Sequence, residues 1–250
     1  MDDGQRASSY TSIRDILSDP GRSPYRKYRD LTVGDRGFFG FAAYETVSSV
    51  LGPVPGALGI LMRQKIYPRF FRSCGKGLVI GRNCTFRHPS RMSFGDHVTI
   101  DDNTLFDARG ANGKGFVIGD GVIVNRNSIV QSKNGDVEIG KSVSLGANST
   151  VVSWSGIRIG DHALIAGGCY ISAGRFDFDD LAKNISEQDG YSTGPIVVDE
   201  NVWIATRVTI LDGVRIGKGS VISAGSVVSG DIPPWSVAHG NPAKVVFTRR

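Results

Sequence analysis

The stretch that decides the fold runs from Val198 to Val228 and reads VDENVWIATRVTILDGVRIGKGSVISAGSVV. Aliphatic residues recur in it at every sixth position: Val198, Ile204, Ile210, Ile216, Ile222 and Val228. A period of six fits neither an amphipathic helix nor an alternating strand. It predicts a short strand and a tight turn, repeated three times per coil, with every sixth side chain pointing into a column shared by stacked coils.

The same six-residue unit recurs upstream. Copies begin at Ile80, Phe94, Ile118, Ile139, Leu145, Ile159 and Ile165. The spacing of the coil starts predicts about 18 to 21 residues per coil, and the 33 glycines of the chain suit the corners. We therefore expect a mainly β protein, a parallel β-helix over residues 73–250. One long loop, about 173–195, interrupts it, and loops of that length are usually functional or mobile.

Residues 1–72 form a different region, an N-terminal helical arm. Turn and breaker residues predict helices over Ser9–Leu17, Phe38–Leu51 and Pro55–Phe71. Glu45 is the one charged residue from Phe38 to Met62, and cations follow at Arg63, Lys65, Arg69 and Arg72. The Gly-Pro-Val-Pro-Gly break at 52–56 favours two short segments over a membrane span. Two interpretations stay open: packing on this or a sister subunit, and peripheral contact of residues 38–72 with an anionic membrane.

The composition limits which cellular compartments and which classes of partner are expected. The three cysteines, Cys74, Cys84 and Cys169, lack CxxC spacing, and this predicts neither a disulfide framework nor a zinc knuckle. The polar first residues do not have the order of a signal peptide. We expect a cytoplasmic protein, at most at the inner face of the membrane. The net charge of +5, without a nucleic-acid motif, does not indicate nucleic acid as a partner.

The repeats resemble those of the hexapeptide-repeat acyltransferases, in particular the sugar and polysaccharide O-acetyltransferases. Asn201-Val-Trp-Ile, Asp231-Ile-Pro-Pro-Trp-Ser and Gly240-Asn-Pro-Ala-Lys are similar to the C-terminal signature of that family. Gly52-Pro-Val-Pro-Gly resembles leaders found among polysaccharide-biosynthesis proteins. The resemblance implies a left-handed parallel β-helix, a homotrimer with active sites between neighbouring helices, and transfer of an acyl group, commonly acetyl, from coenzyme A to a hydroxyl or amine of a sugar or nucleotide-sugar.

The resemblance also implies which residues bind the co-substrate, acetyl-CoA or another acyl-CoA. Trp203 would line the pantetheine or acceptor pocket. Small residues would let the pantetheine arm lie against the backbone: Ala205, Ser223, Ala224 and Gly225. Lys244 and Arg249 would meet the phosphates, where cations are required.

The long loop departs from the family pattern, because Phe176 stands where the family carries its catalytic histidine. A sugar hydroxyl gains about 10²–10⁴-fold from general-base help, which phenylalanine does not provide. The candidates for that role are the loop carboxylates Asp177 and Asp179, whose pKa burial could raise, and His239 beside the C-terminal signature. A primary amine acceptor would need less help.

Two alternatives follow from the missing histidine and the shared architecture. One is a catalytically silent relative that serves as a scaffold or partner subunit. The other is a metalloenzyme of the γ-carbonic-anhydrase kind. That enzyme class needs a histidine trio with a close pair, and the four histidines at 88, 97, 162 and 239 are too far apart in sequence. We expect no metal site.

Overall fold

A computed structural model describes residues 13–34, 36–188 and 190–250. Short parallel strands form three faces, and one strand from each face makes one coil of a solenoid of about eight turns. The first face comprises Ser73–Cys74, Met92–Phe94, Phe116–Ile118, Val137–Ile139, Ile157–Ile159, Ile196–Val198 and Arg215–Ile216. Ile232 continues this face by a single parallel bridge to Ile216.

The other two faces repeat the arrangement. The second face comprises Val79–Ile80, Thr99–Ile100, Ile123–Val124, Ser144–Leu145, Leu164–Ile165, Trp203–Ile204, Val221–Ile222 and Ser236–Gly240, and the antiparallel strand Ala243–Thr248 closes it. The third face comprises Thr85–Arg87, Leu105–Asp107, Ile129–Ser132, Thr150–Ser153, Tyr170–Ala173, Thr209–Ile210 and Val227–Val228. The predicted parallel β-helix is confirmed, and its left-handed winding stays a prediction.

The six-residue period places the core. On the second face, the partners in register include Ile165, Ile204 and Ile222, and each is 0–1% exposed. Each such side chain contributes about 1.5–3 kcal/mol when it is fully buried. Because neighbouring coils present the same column, the burial of one residue depends on the coils above and below it.

The corners require a left-handed backbone conformation that most residue types avoid. Between the second and third faces, Asn83, Asn103, Asn127 and Asn148 all have φ of 55–59°. Asparagine tolerates this left-handed region because its short polar side chain bonds locally. Here the amides bond one another from coil to coil, for example Asn127 Nδ2 to Asn148 Oδ1 at 3.2 Å. The corner asparagines therefore link successive coils as well as turning the chain.

The arm forms four helices, α1 (Ile13–Ser18), α2 (Pro24–Thr32), α3 (Phe38–Leu51) and α4 (Gly56–Ile66). A 3₁₀ turn at Tyr67–Phe70 follows α4, and others lie at Pro89–Arg91 and Ile185–Glu187. The prediction of α3 is confirmed at both ends. The first predicted helix begins at Ile13 within the described residues, since positions 9–12 lie outside them.

Helix α2 was not predicted, although its start carries two signals. Ser23 accepts a hydrogen bond from the Arg26 amide at 3.4 Å, and Pro24 takes the first helical position. Serine at the cap and proline next to it are common at helix starts. The segment is strongly polar and α2 contains no fully buried residue, so it lacks the apolar periodicity from which a helix is predicted.

The arm covers the open end of the first coil. Arg63 of α4 is 1% exposed, and its guanidinium donates to the carbonyls of Ile80 at 2.9 Å, Leu51 at 2.8 Å and Val54 at 2.7 Å. Arginine supplies five donors, so it satisfies backbone oxygens that a helix and a turn would leave open. The arm is therefore joined to the β-helix by polar contacts as well as by apolar packing. In the described residues no helix is both long and apolar enough to cross a bilayer.

Candidate active site

The long loop leaves the third face after Ala173 and rejoins the first face at Ile196. Its two ends form a short antiparallel pair, Arg175–Phe176 with Gly190–Tyr191. The predicted interruption at about 173–195 is confirmed. The loop therefore projects from the β-helix as a hairpin with a narrow base.

Asp212 holds the base of this hairpin, and the sequence interpretation did not single it out. Its side chain is 3% exposed and accepts hydrogen bonds from Ser192 Oγ at 2.7 Å, Thr193 N at 2.5 Å and Thr193 Oγ1 at 2.8 Å. Arg175 Nε lies 3.7 Å from the same carboxylate. The signal available in the sequence was Asp212-Gly213, a turn pair two positions after the aliphatic position Ile210.

Phe176, predicted from the sequence to stand at the position of the family's catalytic histidine, is 53% exposed. It packs edge-on against Trp154, with ring centroids 6.1 Å apart. Two glycines of the loop, Gly174 and Gly190, run so close to the Trp154 ring that a Cβ at either position would collide with it. The loop therefore closes on an aromatic contact at this position.

The loop carboxylates lie at the surface. Asp179, Asp180 and Glu187 are exposed, and Asp177 is half-buried. The Ala182 amide and the Lys183 ammonium hold the pKa of the Asp180 carboxyl below its usual value. Hydrogen bonds to the charged form therefore set the direction of the Asp180 shift, and a role of Asp177 or Asp179 as a base stays a prediction.

The four histidines occupy three kinds of position. His88 is buried, and its Nε2 lies 2.7 Å from the Asp30 carbonyl, an arrangement that ties the arm to the first coil. Burial lowers the pKa of His88. His97 and His162 are exposed at left-handed corners. His239 is exposed on the last parallel strand of the second face.

Most of the predicted coenzyme residues lie on neighbouring strands at one end of the second face. Ala205 donates its amide to Ile222 O and Ser223 donates to Ala238 O, both at 2.9 Å. His239 then faces Lys244 directly across the antiparallel pair. The structure thus brings Ala205, Ser223, His239 and Lys244 into consecutive strands.

The surface around this group is open. Trp203 is 49% exposed in the outward row that Leu164 and Val221 share with it. Ala224 and Gly225 are exposed at the following corner, and a Cβ built on Gly225 would meet nothing within 4 Å. An extended chain therefore has free access to this end of the face.

Arg249 lies apart from Lys244. Its Nη1 donates to Gly219 O at 2.5 Å, and its guanidinium lies 5.9 Å from the centroid of the Trp235 ring. Five residues of extended strand separate it from Lys244, roughly 17 Å. Arg249 is therefore engaged by Gly219 and Trp235, and no observed contact brings it together with Lys244 in the described chain.

The loop and His239 lie on different parts of the solenoid. The loop leaves the third face after the fifth coil, whereas His239 belongs to the second face in the eighth. Asp177 and Asp179 are therefore not brought together with His239 in the isolated chain. Within the described ranges, no three His, Cys, Asp or Glu side chains converge as a metal-ligand group.

Comparisons with known proteins agree with the repeats. The family model described as bacterial transferase hexapeptide (six repeats) matches residues 195–230, and that of the hexapeptide repeat of succinyl-transferase matches residues 136–173. A probable acetyltransferase of Mycobacterium tuberculosis is 35% identical over 133 residues, 53% of this chain and 44% of its own length. The galactoside O-acetyltransferase of Escherichia coli is 40% identical over 116 residues, 46% of this chain and 55% of its own length.

The chain spans about half the length of the curated relatives it matches. Among solved structures, an S84C variant of AntD, an N-acyltransferase from Bacillus cereus, superposes with a TM-score of 0.53 at 21% identity, over 75% of this chain and 89% of AntD. This likeness concerns the fold. Repeat pattern, coil architecture and family models agree: residues 136–173 and 195–230 carry repeats similar to those of the hexapeptide-repeat transferases.

Proposed function

We propose that this protein transfers an acyl group, most commonly acetyl, from coenzyme A to a hydroxyl or amine of a sugar or sugar-like metabolite. The observation that carries the proposal is the gathering of Ala205, Ser223, His239 and Lys244 on consecutive strands of the second face. Relatives support it. One is named a galactoside O-acetyltransferase, and the AntD variant was solved with a dTDP-amino sugar and coenzyme A.

The proposed roles follow from exposure and charge. The small side chains of Ala205, Ser223, Ala224 and Gly225 leave room beside the backbone for an extended pantetheine arm. The Lys244 ammonium is exposed and would pair with a phosphate as a point charge. Trp203 offers an apolar surface beside this path.

The acceptor atom attacks the thioester carbonyl carbon, the C–S bond breaks, and the proton of the acceptor leaves with the thiolate as free coenzyme A. A neutral primary amine already carries the lone pair for this attack. A hydroxyl needs a base, for which His239, Asp177 and Asp179 are the proposed groups. The tetrahedral oxyanion needs a donor, and a backbone N–H is the proposed one.

We also propose a homotrimer, because the loop and the second-face group lie on different faces of one chain. In a trimer, the loop of one subunit can approach the second face of its neighbour. The measurement is the mass in solution by light scattering, which should correspond to three chains of 26.8 kDa. A monomeric mass at micromolar concentration would contradict this arrangement.

Calorimetric titration with acetyl-CoA tests the proposed site. We expect saturable binding, weakened about tenfold in Lys244→Ala, since a charge-assisted contact contributes about 1.5–3 kcal/mol. Lys218→Ala is the matched control, because Lys218 is a half-exposed cation paired with Glu200 on the first face. Absence of binding at millimolar acetyl-CoA would contradict the proposal. Binding without transfer to any sugar hydroxyl or amine would indicate a catalytically silent relative.

We also propose that the arm contacts a membrane peripherally and that the protein acts in polysaccharide biosynthesis. Phe39 is 87% and Leu58 66% exposed on the arm, with Lys65 exposed on the same helix as Leu58. Exposed apolar groups beside cations suit an anionic bilayer surface. Co-sedimentation with anionic vesicles should fall in Phe39→Ser and persist in Leu181→Ser, a control that removes a 97% exposed apolar residue from the loop.

A further inference from the structure

A cavity of about 650 Å³ lies between the arm and the turns that lead from the third face to the first. Arg22 and Arg29 line it from the arm, and Arg91, Arg109 and Lys133 line it from the β-helix. It shares none of the residues predicted to bind coenzyme A or to act in catalysis. The cavity is therefore a separate feature of the molecule.

The walls of this cavity carry excess positive charge. Asp30 is the one carboxylate among the described lining residues, and Arg22 at 3.0 Å and Arg29 at 3.1 Å share it. Arg22 also pairs with Asp19, outside the lining, at 3.0 Å. The Arg91 guanidinium donates to two backbone carbonyls, each at 2.8 Å. The Lys133 ammonium lies 5.8 Å from the centroid of the Trp154 ring. Among the described residues, Arg91 and Lys133 thus contact only neutral partners in these interactions, and their positive charges are not neutralised by them.

Arg109 adds an independent observation. Its side chain is 9% exposed, and Nη2 lies 3.2 Å from the buried Asp107 carboxylate, which Arg87 also contacts at 3.5 Å. The other terminal nitrogen, Nη1, is buried and has no hydrogen-bond partner in the described part of the chain. Arginine stays protonated at any physiological pH, and a buried charged donor without an acceptor is unfavourable. Arg109 lines this cavity and shares the Asp107 carboxylate with Arg87, so an anion bound beside it would offset the excess positive charge.

We propose that this cavity binds the phosphate group of a small organic molecule, such as a nucleoside diphosphate or its sugar conjugate. Guanidinium groups match the oxygens of a phosphate with two parallel hydrogen bonds, and several of them converge here. The volume lies in the range of ligand pockets and exceeds what a bare phosphate ion fills. The cavity is connected to the long loop through Trp154, whose ring contacts Lys133 of the cavity wall and Phe176 of the loop.

Calorimetric titration of the full chain at low ionic strength tests this site, with UDP and inorganic pyrophosphate as probes. We expect saturable binding of UDP, at least as tight as that of pyrophosphate. Lys133→Gln and Arg22→Gln should each weaken it about tenfold. Both positions are partly exposed, so these variants should fold. Lys141→Gln removes one cation on the first face, where it pairs with Asp120, and should change the affinity by less than about twofold.

Three results would overturn the proposal. One is the absence of saturable binding of either probe at low millimolar concentration. Another is equal weakening in Lys141→Gln, which would mean a response to net charge. The last is binding to anionic lipid vesicles without binding to UDP, which would assign the cavity to lipid headgroups. Acetyl-CoA binding is measured separately at Lys244, so a failure of this site is distinguishable from a failure of the acyltransferase proposal.

Discussion

Replacing Asp212 by asparagine should open the long loop without unfolding the β-helix. The Asp212 carboxylate accepts three hydrogen bonds from Ser192 and Thr193 at 2.5–2.8 Å. Asparagine keeps one acceptor oxygen and turns an NH₂ group towards a donor, so at least one of these donors loses its partner. The negative charge opposite Arg175 is lost as well.

The magnitude follows from these contacts. One lost charge-assisted hydrogen bond and one donor left unsatisfied together cost about 3 kcal/mol. Since 1.4 kcal/mol corresponds to a factor of ten, the open fraction of the loop should rise roughly 100-fold. The core columns of the β-helix do not include Asp212, so global unfolding should shift less than loop opening does.

Limited trypsin digestion at Lys183 measures the opening, because Lys183 lies in the middle of the loop and is 61% exposed. When reclosing is faster than cleavage, the cleavage rate tracks the open fraction. Asp161→Asn is the matched control. Its carboxylate also accepts a backbone amide, that of Lys141 at 2.8 Å, but it lies at a corner away from the loop. An unchanged cleavage rate in Asp212→Asn would refute the assignment of Asp212 as the residue that holds the loop.

Three further predictions follow from other contacts. Phe176→His should raise the rate of acetyl transfer to a sugar hydroxyl by about 10²-fold or more, because histidine can act as the general base. Release of free coenzyme A measures this rate. An unchanged rate would mean that position 176 does not face the acceptor. Burial lowers the pKa of His88, so below about pH 6.5 the unfolded chain binds more protons than the folded one, and stability should fall with decreasing pH. Denaturant unfolding at pH 7.5 and 5.5 should show this loss in the wild type and less of it in His88→Gln; equal losses would contradict it. Gly219→Ala should be at least about 1 kcal/mol more destabilising than Gly225→Ala in the same assay, because both have φ near 70° but a Cβ at Gly219 would collide with the Trp235 ring. Equal effects would show that the backbone conformation alone sets the cost.

The β-helix was predictable because each coil repeats one local rule. The six-residue spacing of Val198, Ile204 and Ile210 predicts that each side chain points inward. This pattern can be recognised without knowing any contact between distant parts of the chain. Helix α3 was predictable for a similar reason, since the apolar segment is bounded by Gly37 and Gly52. Helix α2 was missed because it contributes no buried residue to the pattern from which helices are read.

The residue that holds the long loop in place could not be predicted from the sequence. The position of the loop follows from the break in the period, but the side chain that holds it comes from the following coil, 20 positions after Ser192. Asp177 and Asp179 are candidates from the sequence because they lie close together in the loop. On the projecting hairpin Asp179 is exposed and Asp177 half-buried, whereas Asp212 is buried because two segments meet over it.

The structure of the loop bears on which acceptor the proposed acyltransferase would use. A loop that had lost its function would be free to lose its shape, yet this one keeps a buried polar contact at Asp212 and an aromatic contact between Phe176 and Trp154. Its shape is therefore maintained without the side chain that would remove a proton from a hydroxyl. An amine acceptor reconciles the two facts, because its neutral form attacks a thioester without a base, and what the loop then has to provide is position.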